Sequence, residues 1–521
     1  MELQIIIIMK VEPNRVGAFP FRKSDPDERK NNFSEVQQAY TEEEAIREAN
    51  RCLLCGTPVC IDACPVLLDV RGMNEAVARG DFKKAYERIR QTNPLLGVTG
   101  RCCPQLQGLC EDACVLRWSG QPIGIGLIQR YVADWERRQH EQQTQLEQKD
   151  QQRPDSPVSI SPKTQKKVSV IGAGPAGLAA AELLRRYGHD VVIYEELSTP
   201  GGTAWYGIPD YHLPKDVLQY EIARIKGMGI EIKTGIKVGR DITLSQLTGS
   251  GSDAILIATG SKDTVKLDTP GINLTGIYDG YEFLEAVYVS GVDNYVKNEK
   301  NNSNTYRLGK QVIVIGGGDT ALDCARTALR LTNGSVTIAY RRTENDMPAD
   351  PIMLEEAKEE GVKFMFLAEP KSYKGDSEGH VMTTTMNSMR LGEPDHSGRK
   401  TPEPIPGKEF NLDCSSVLLA VGRGPNSFLQ NKLGIKKGKK NSIAIDDKYK
   451  TSMNGVFAAG DVTTGETLVV KAMSSGREAA ERVHEYLMNL EENHMSFYER
   501  YYIQNSYDRM FEGGKTGPPP E

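Results

Sequence analysis

Val168-Ser-Val-Ile-Gly172-Ala-Gly174-Pro175-Ala176-Gly177-Leu178 is the stretch on which the reading of this 521-residue chain turns. An apolar strand runs into three glycines, a helical run follows to Tyr187, and a second strand covers Asp190 to Tyr194. Each glycine has a task. Gly172 permits the tight turn, Gly174 lets the backbone approach a pyrophosphate, and Gly177 lets the helix pack on the strand. Pro175 and Ala176 open that helix, whose free N–H groups face the phosphates. Glu195 closes the second strand 21 residues after Gly174, where a carboxylate accepts hydrogen bonds from ribose hydroxyls.

The same grammar recurs downstream. Val312-Ile-Val-Ile-Gly316-Gly317-Gly318-Asp319-Thr320-Ala321 is again strand, glycine loop and helix start. Its second strand, Val336 to Tyr340, ends in Arg341-Arg342 rather than in an acid. A ribose 2′-phosphate is repelled by carboxylate and held by guanidinium forks, so this loop reads as an NADP(H) site. The alternative is that both arginines are a solvated loop end. Ala258-Thr259-Gly260 closes a strand ahead of the second loop, and Gly455-Val-Phe-Ala-Ala-Gly460-Asp461 lies late in the chain. This order resembles the two-dinucleotide-binding flavoproteins. The resemblance implies FAD on the first loop with Gly202, Thr259 and Gly260, and an inserted nicotinamide domain. It also implies that Asp461 touches the flavin, with Thr467, Leu468 and Val469 nearby at a helix start.

Ten cysteines are unevenly placed: eight fall between Cys52 and Cys114, and Cys324 and Cys414 read as plain core. The runs are Cys52-x2-Cys55-x4-Cys60-x3-Cys64-Pro65 and Cys103-Pro104-x5-Cys110-x3-Cys114, with Cys102 beside the second. Short-interval thiolates with a following proline are the signature of 4Fe–4S ligation. Zinc is the rival, but it asks for paired Cys-x2-Cys units, which the second run does not offer. Disulfides belong to exported chains, and no export signal is read here.

RCLLCGTPVCIDACP, NPLLGVTGRCCPQLQGLCEDAC and IGLIQRYVADW resemble the N-terminal landmarks of glutamate synthase small subunits. The same landmarks occur in dihydropyrimidine dehydrogenase and in bifurcating NADH-dependent ferredoxin:NADP oxidoreductases. GGTAWYGIPDYHLPK, GGGDTALDCARTALR, YRRTENDMPA and GVFAAGDV extend the likeness over nearly the whole chain. The resemblance implies two interleaved 4Fe–4S clusters, one on Cys52, Cys55, Cys60 and Cys114. The other would take Cys64, Cys103 and Cys110, with Gln129 as a non-thiolate fourth ligand. Tyr206 to Pro209 would line the flavin–nicotinamide region. Three departures stand out: an extra residue between Cys103 and Cys110, Cys102 in place of an aliphatic residue, and His212 in place of Arg or Lys. His212 reads equally as an FAD contact and as a surface residue.

The expected fold class is α/β: a helical iron–sulfur domain followed by two Rossmann-like domains. The expected divisions are a helical domain over 1–145, a linker over 146–166, and an FAD domain formed from two separate stretches, 167–285 and 425–490. The NADPH domain is expected between those stretches, over 286–424, and a tail over 491–521. Helical patterns cover Glu42 to Arg51 and Met73 to Arg90, and 297–307 reads as a polar surface insertion. The formal charge of −6 offers no basic stripe to a nucleic acid. Ile5 to Ile8 is too short for a membrane span, and the expected setting is cytoplasmic.

The expected chemistry is NADPH to FAD to clusters, with no nucleophile or catalytic dyad. The expected partner is the large glutamate synthase subunit or another electron-accepting redox protein. Without a glutaminase domain or glutamate-forming barrel, the chain alone is not expected to make glutamate. Pyrimidine reduction, ferredoxin-linked bifurcation and polysulfide reduction are alternative outputs, and a non-catalytic cofactor-binding scaffold is the alternative of another class.

Overall fold

The computed structural model describes residues 22–146 and 158–490, apart from 105, 266, 293, 297–305, 333 and 395–398. The Ile5 to Ile8 run, most of the polar insertion and the tail from 491 lie outside the described residues.

Local sequence sets the helices of the N-terminal unit. Thr41 and Glu44 form a reciprocal capping box that starts Glu42–Asn50. Asp69 caps Val70–Ala78 and Asp81 caps Phe82–Arg90. The single helical stretch expected from Met73 to Arg90 is therefore two helices. Gly80, in the left-handed region at φ +73°, turns the chain between them. Leu96–Cys102 and the long helix Ile125–Leu146 complete the unit.

The strands that follow are β1 (Lys167–Ile171), β2 (Asp190–Tyr194), β3 (Glu231–Lys233), β4 (Ala254–Ile257) and β5 (Ser261–Thr264). Next come β6 (Ile277–Asp279), β7 (Gln311–Ile315), β8 (Ser335–Tyr340) and β9 (Lys363–Phe366). The last six are β10 (Ala368–Gly375), β11 (Val381–Pro394), β12 (Lys400–Asp413), β13 (Ser416–Leu419), β14 (Arg423–Pro425) and β15 (Val456–Ala458). Two parallel sheets result, in the orders β15-β4-β1-β2-β3 and β6-β13-β7-β8-β9. β10 to β12 form an antiparallel meander, and β5 pairs with β14 where the chain passes between the two parallel sheets. Parallel sheets must be covered on both faces, which explains strands as apolar as Val-Ile-Val-Ile. β6 already belongs to the second sheet, so the expected division at residue 285 falls inside the helix Gly280–Ser290, one strand late.

The helical unit is not a separate bead. Its buried residues share one continuous core with one face of the first sheet, from Leu96 and Val98 through Val217 and Leu218 to Val168 and Phe457. The described stretch of the expected linker also docks: Ser161 donates its N–H to the Arg186 carbonyl at 2.8 Å and Thr164 to that of Gly188 at 3.0 Å.

The segment before the first long helix ties the helical unit to the second sheet as well. Arg29 is buried, with its guanidinium on Glu360 at 3.0 Å and Glu359 at 2.6 Å. Glu360 also accepts from Arg326 and Arg330, each at 2.7 Å. Both of those guanidinium groups lie over the Tyr211 ring, at 4.6 and 4.2 Å. Arg326 also meets the buried Glu356 at 2.8 Å, so three buried cations share two buried carboxylates, and removing Glu360 would take the partner of Arg330.

Candidate functional site

The first glycine loop has the geometry its sequence demands. Gly172 has φ +106°, and a β-carbon there would lie 2.4 Å from the Ala258 carbonyl oxygen. A β-carbon on Gly177 would lie 2.0 Å from the Gly172 carbonyl oxygen, so only glycine lets the helix Pro175–Arg186 sit this close to β1. Gly202, at φ +55°, brings its backbone against the α-carbon of Gly174, and Gly460 faces Ala176. Strand ends far apart in sequence thus converge at the carboxyl edge of the first sheet: Gly172 to Gly177, Gly202, Thr259, Gly260, Gly460 and Asp461. Glu195 closes β2 as expected. Its carboxylate accepts from the N–H of Ala173 at 2.8 Å and of Leu197 at 2.9 Å, which fixes it beside the loop. Thr259 Oγ1 is buried there without a hydrogen-bond partner. A glycine-lined passage with an orphaned hydroxyl fits a bound dinucleotide.

The second loop opens on a cavity of about 1370 Å³. Gly316, Gly317, Gly318, Asp319 and Thr320 line one end, with Arg341, Arg342, Glu369 and Arg399. Gly318 has nothing within 4 Å of where a β-carbon would stand, which leaves room for phosphate oxygens. Asp319 accepts the N–H of Asp350 at 2.7 Å and so braces the loop against the turn after β8. The two arginines differ. Arg341 is about half exposed and meets Glu369 at 3.5 Å, whereas Arg342 is buried and donates Nε to the Lys400 carbonyl at 2.9 Å.

The same cavity is also lined by Asp461, Thr467, Leu468, Val469, Cys102, Cys103 and Glu111. Burial raises the Asp461 carboxyl to about 6, against a hydrogen bond from Thr467 that favours its charged form. Gly207 and Ile208 line the cavity, but Tyr206 does not: it is buried, and its hydroxyl bridges the N–H and carbonyl of Thr199. The likeness had grouped Tyr206 to Pro209, of which Gly207 and Ile208 line the cavity and Tyr206 holds the turn. His212 is no surface residue, since it lines the cavity and sits 3.2 Å from the Arg101 carbonyl. A carbonyl only accepts, so Nε2 carries the proton.

All ten cysteines are free thiols. The eight in the helical unit sort by position. Cys52, Cys55, Cys60 and Cys114 line one small cavity, where burial pushes the Cys60 thiol up to about 12 and the other three add to the rise. Cys103 feels burial first and then Cys64, Cys102 and Glu111, and Cys110 feels burial and then Cys64 and Glu111. Burial raises the Cys102 thiol to about 12, against Arg101 and Lys215, which lower it. Among the described residues no three donors converge on a single ion. Four of the thiols share one small cavity, a donor set that fits an iron–sulfur group. Gln129 is buried and donates Nε2 to the Leu96 carbonyl at 2.9 Å and to Thr99 Oγ1 at 2.6 Å, one turn before Cys103. Cys324 and Cys414 are buried core.

Sequence reasoning missed Glu111, Glu369 and Arg399. No motif flags them, and only the folding of distant loops onto one cavity brings them in. Among the described residues no helix is long and apolar enough to cross a membrane.

Fold and site together define a pyridine-nucleotide oxidoreductase fused to an iron–sulfur module. The family model for pyridine nucleotide-disulphide oxidoreductases matches residues 166–476. The model for dihydropyrimidine dehydrogenase domain II, 4Fe-4S cluster, matches residues 29–141. The NADPH glutamate synthase small chain of Azospirillum brasilense is 35% identical over 469 residues, covering 88% of this chain and 92% of that one. Its counterpart from Escherichia coli is 34% identical over 472 residues, covering 88% and 95%. The chain belongs to the glutamate synthase small-chain family and is an NADPH-dependent flavin and iron–sulfur oxidoreductase. In fold it also resembles FprA of Mycobacterium tuberculosis in complex with NADPH, with 17% identity and a TM-score of 0.51 over 67% of this chain and 90% of that one.

Proposed function

We propose that this chain is an electron-input subunit that draws reducing equivalents from NADPH and delivers them singly to a partner, the large subunit of glutamate synthase. The observation that carries this reading is the continuity of the large cavity. One space is lined by the second glycine loop, by Asp461 and Thr467 to Val469, and by Cys103.

In this reading Gly316 to Thr320 hold the NADPH pyrophosphate at a helix N-terminus, and Arg341 with Arg342 holds the 2′-phosphate. The first loop, Glu195, Gly202, Thr259 and Gly260 hold FAD, and Asp461 with Thr467 to Val469 faces its flavin. Two 4Fe–4S clusters follow. The inner one would be held by Cys64, Cys103, Cys110 and Gln129, and the outer one by Cys52, Cys55, Cys60 and Cys114. Gln129 suits the fourth place because both amide hydrogens are spent on Leu96 and Thr99, which leaves its oxygen as donor. A neutral ligand makes the inner cluster less negative and shifts its potential. Bound FAD supplies the conversion between a hydride and single electrons, while the chain orients, excludes water and tunes potentials.

The test is anaerobic purification of the tagged chain from its native source, with mass spectrometry of what stays bound. A large partner with a glutamine amidotransferase domain supports the reading. A pyrimidine-reducing barrel, a ferredoxin-linked partner or a polysulfide reductase moves the output to that chemistry. Recovery of no redox partner contradicts it.

A further inference from the structure

The connection between β11 and β12 reaches the large cavity. Arg399 is its last residue before β12 and lines that cavity with Arg341, Arg342 and Glu369. No motif links Arg399 to the arginines that end β8, but hydrogen bonds do. Arg342 donates Nε to the Lys400 carbonyl at 2.9 Å, so the residue after Arg341 grips the residue after Arg399. Leu367 donates its N–H to the Arg342 carbonyl at 3.1 Å, and Met389 donates to the Leu367 carbonyl at 2.8 Å. Pro394 pairs with Lys400 across the hairpin. The end of β8, the turn before β10 and the β11–β12 hairpin are therefore held as one frame, with Arg341 and Arg399 on it.

The charges on this frame suit one chemical group. Three guanidinium groups stand with one carboxylate, Glu369, which meets Arg341 at 3.5 Å. A phosphate monoester carries close to two negative charges at neutral pH and offers three oxygens, of which a single guanidinium fork takes two. Arg342 has already spent its Nε on the Lys400 carbonyl. We propose that Arg399 is a further specificity-determining residue of the nucleotide site, closing on the adenosine 2′-phosphate of NADPH from the β11–β12 connection while Arg341 holds it from the end of β8. The proposal rests on the 2′-phosphate reading of this cavity and deepens it. Glu369 is then the counter-ion that Arg341 gives up when the phosphate arrives. NADH has only a hydroxyl at that position and gives Arg399 no charge to hold. An arginine that merely shaped the hairpin would affect both nucleotides alike, and that difference decides the test.

The oxidised holoprotein is titrated anaerobically by calorimetry with NADP+ and with NAD+, beside its Arg399→Ala, Arg399→Lys, Arg341→Ala and Arg390→Ala variants. Arg390, on β11 and paired with Glu403 at 3.0 Å, is the control on the same hairpin. Arg399 is exposed, so its replacement leaves the core intact. The expected result for Arg399→Ala is NADP+ binding weakened at least tenfold and NAD+ binding changed less than twofold. Arg399→Lys, which keeps the charge without the fork, should recover part of the loss. Arg390→Ala should leave both nucleotides within twofold. The affinity of Arg399→Ala for NADP+ should also fall less steeply with added salt than that of the unaltered chain. Unchanged NADP+ binding in Arg399→Ala overturns the proposal; if Arg341→Ala weakens NADP+ in the same series, the 2′-phosphate reading survives without Arg399. An equal loss for NADP+ and NAD+ also overturns it and leaves Arg399 as a support of the hairpin. An unaltered chain that binds NADP+ no more tightly than NAD+ overturns the proposal together with the 2′-phosphate reading.

Discussion

A β-carbon on Gly177 would stand 2.0 Å from the carbonyl oxygen of Gly172. That oxygen is backbone on the turn that faces the dinucleotide, so it has nowhere to retreat. Gly177→Ala should push the helix Pro175–Arg186 off β1 at a cost of about 1–3 kcal/mol, in the range of an overpacked core. Thermal unfolding and FAD content after gel filtration check this. Lower stability together with substoichiometric flavin is expected, and full flavin with an unchanged Tm would mean that the close approach is not needed.

Arg341 and Arg342 should separate on mutation. Arg341→Ala removes an exposed cation from the cavity wall, and loss of one charge-assisted contact of about 1.5–3 kcal/mol raises KM for NADPH roughly 10- to 100-fold. KM for NADH should barely move. Arg342→Ala should also lower Tm, because its buried Nε holds the Lys400 carbonyl. Steady-state kinetics with both nucleotides decide: equal effects of Arg341→Ala on both would remove the 2′-phosphate assignment.

Glu360 gives a pH signature. Burial alone would raise its carboxyl, but hydrogen bonds from Arg326 and Arg330 win and hold it down to about 2. The folded value lies below the unfolded one, so this stabilisation is complete above the ordinary value of 4.5 and is lost as pH falls through about 2. The loss is on the order of 3 kcal/mol. Glu360→Gln takes away the carboxylate of Arg330 and leaves Arg29 with Glu359 and Arg326 with Glu356, and should cost about 3–5 kcal/mol at neutral pH. Denaturant titration from pH 7 to 3 checks both points. The variant should start lower and show a shallower acid slope than the unaltered chain.

Cys102 and Cys103 line one cavity but differ in the charges around them, Arg101 and Lys215 acting on Cys102 and Cys64 and Glu111 on Cys103. Cys103→Ser should lower iron content and the broad visible absorbance of the clusters, whereas Cys102→Ala should leave both within a tenth or so of the unaltered chain. Iron analysis after anaerobic reconstitution decides. Loss of iron in Cys102→Ala with retention in Cys103→Ser would reverse the assignment.

These outcomes bear on what the sequence could reveal. The glycine loops were legible because turn chemistry is local: Gly172, Gly177 and Gly316 each answer to a backbone a few residues away or to the next strand end. The two thiol groups came from family likeness, since spacing alone cannot tell which centre Cys114 joins. The break at Gly80 was hidden because Met73 to Arg90 keeps a helical pattern on both sides of it. Arg29 with Glu360 was out of reach, because ion pairs between residues so far apart leave no periodicity. The inward turn of Tyr206 and the place of Arg399 on the cavity wall depend on packing that only the folded chain defines.

The most direct test of the central claim is an anaerobic titration of the reconstituted holoprotein with NADPH. Flavin absorbance and cluster signals by electron paramagnetic resonance would be followed together. The account predicts that the flavin bleaches, that cluster signals then grow, and that added ferricyanide drains both, with NADH far less effective at equal concentration. A flavin that stays oxidised under excess NADPH would contradict electron input and leave a cofactor-binding scaffold.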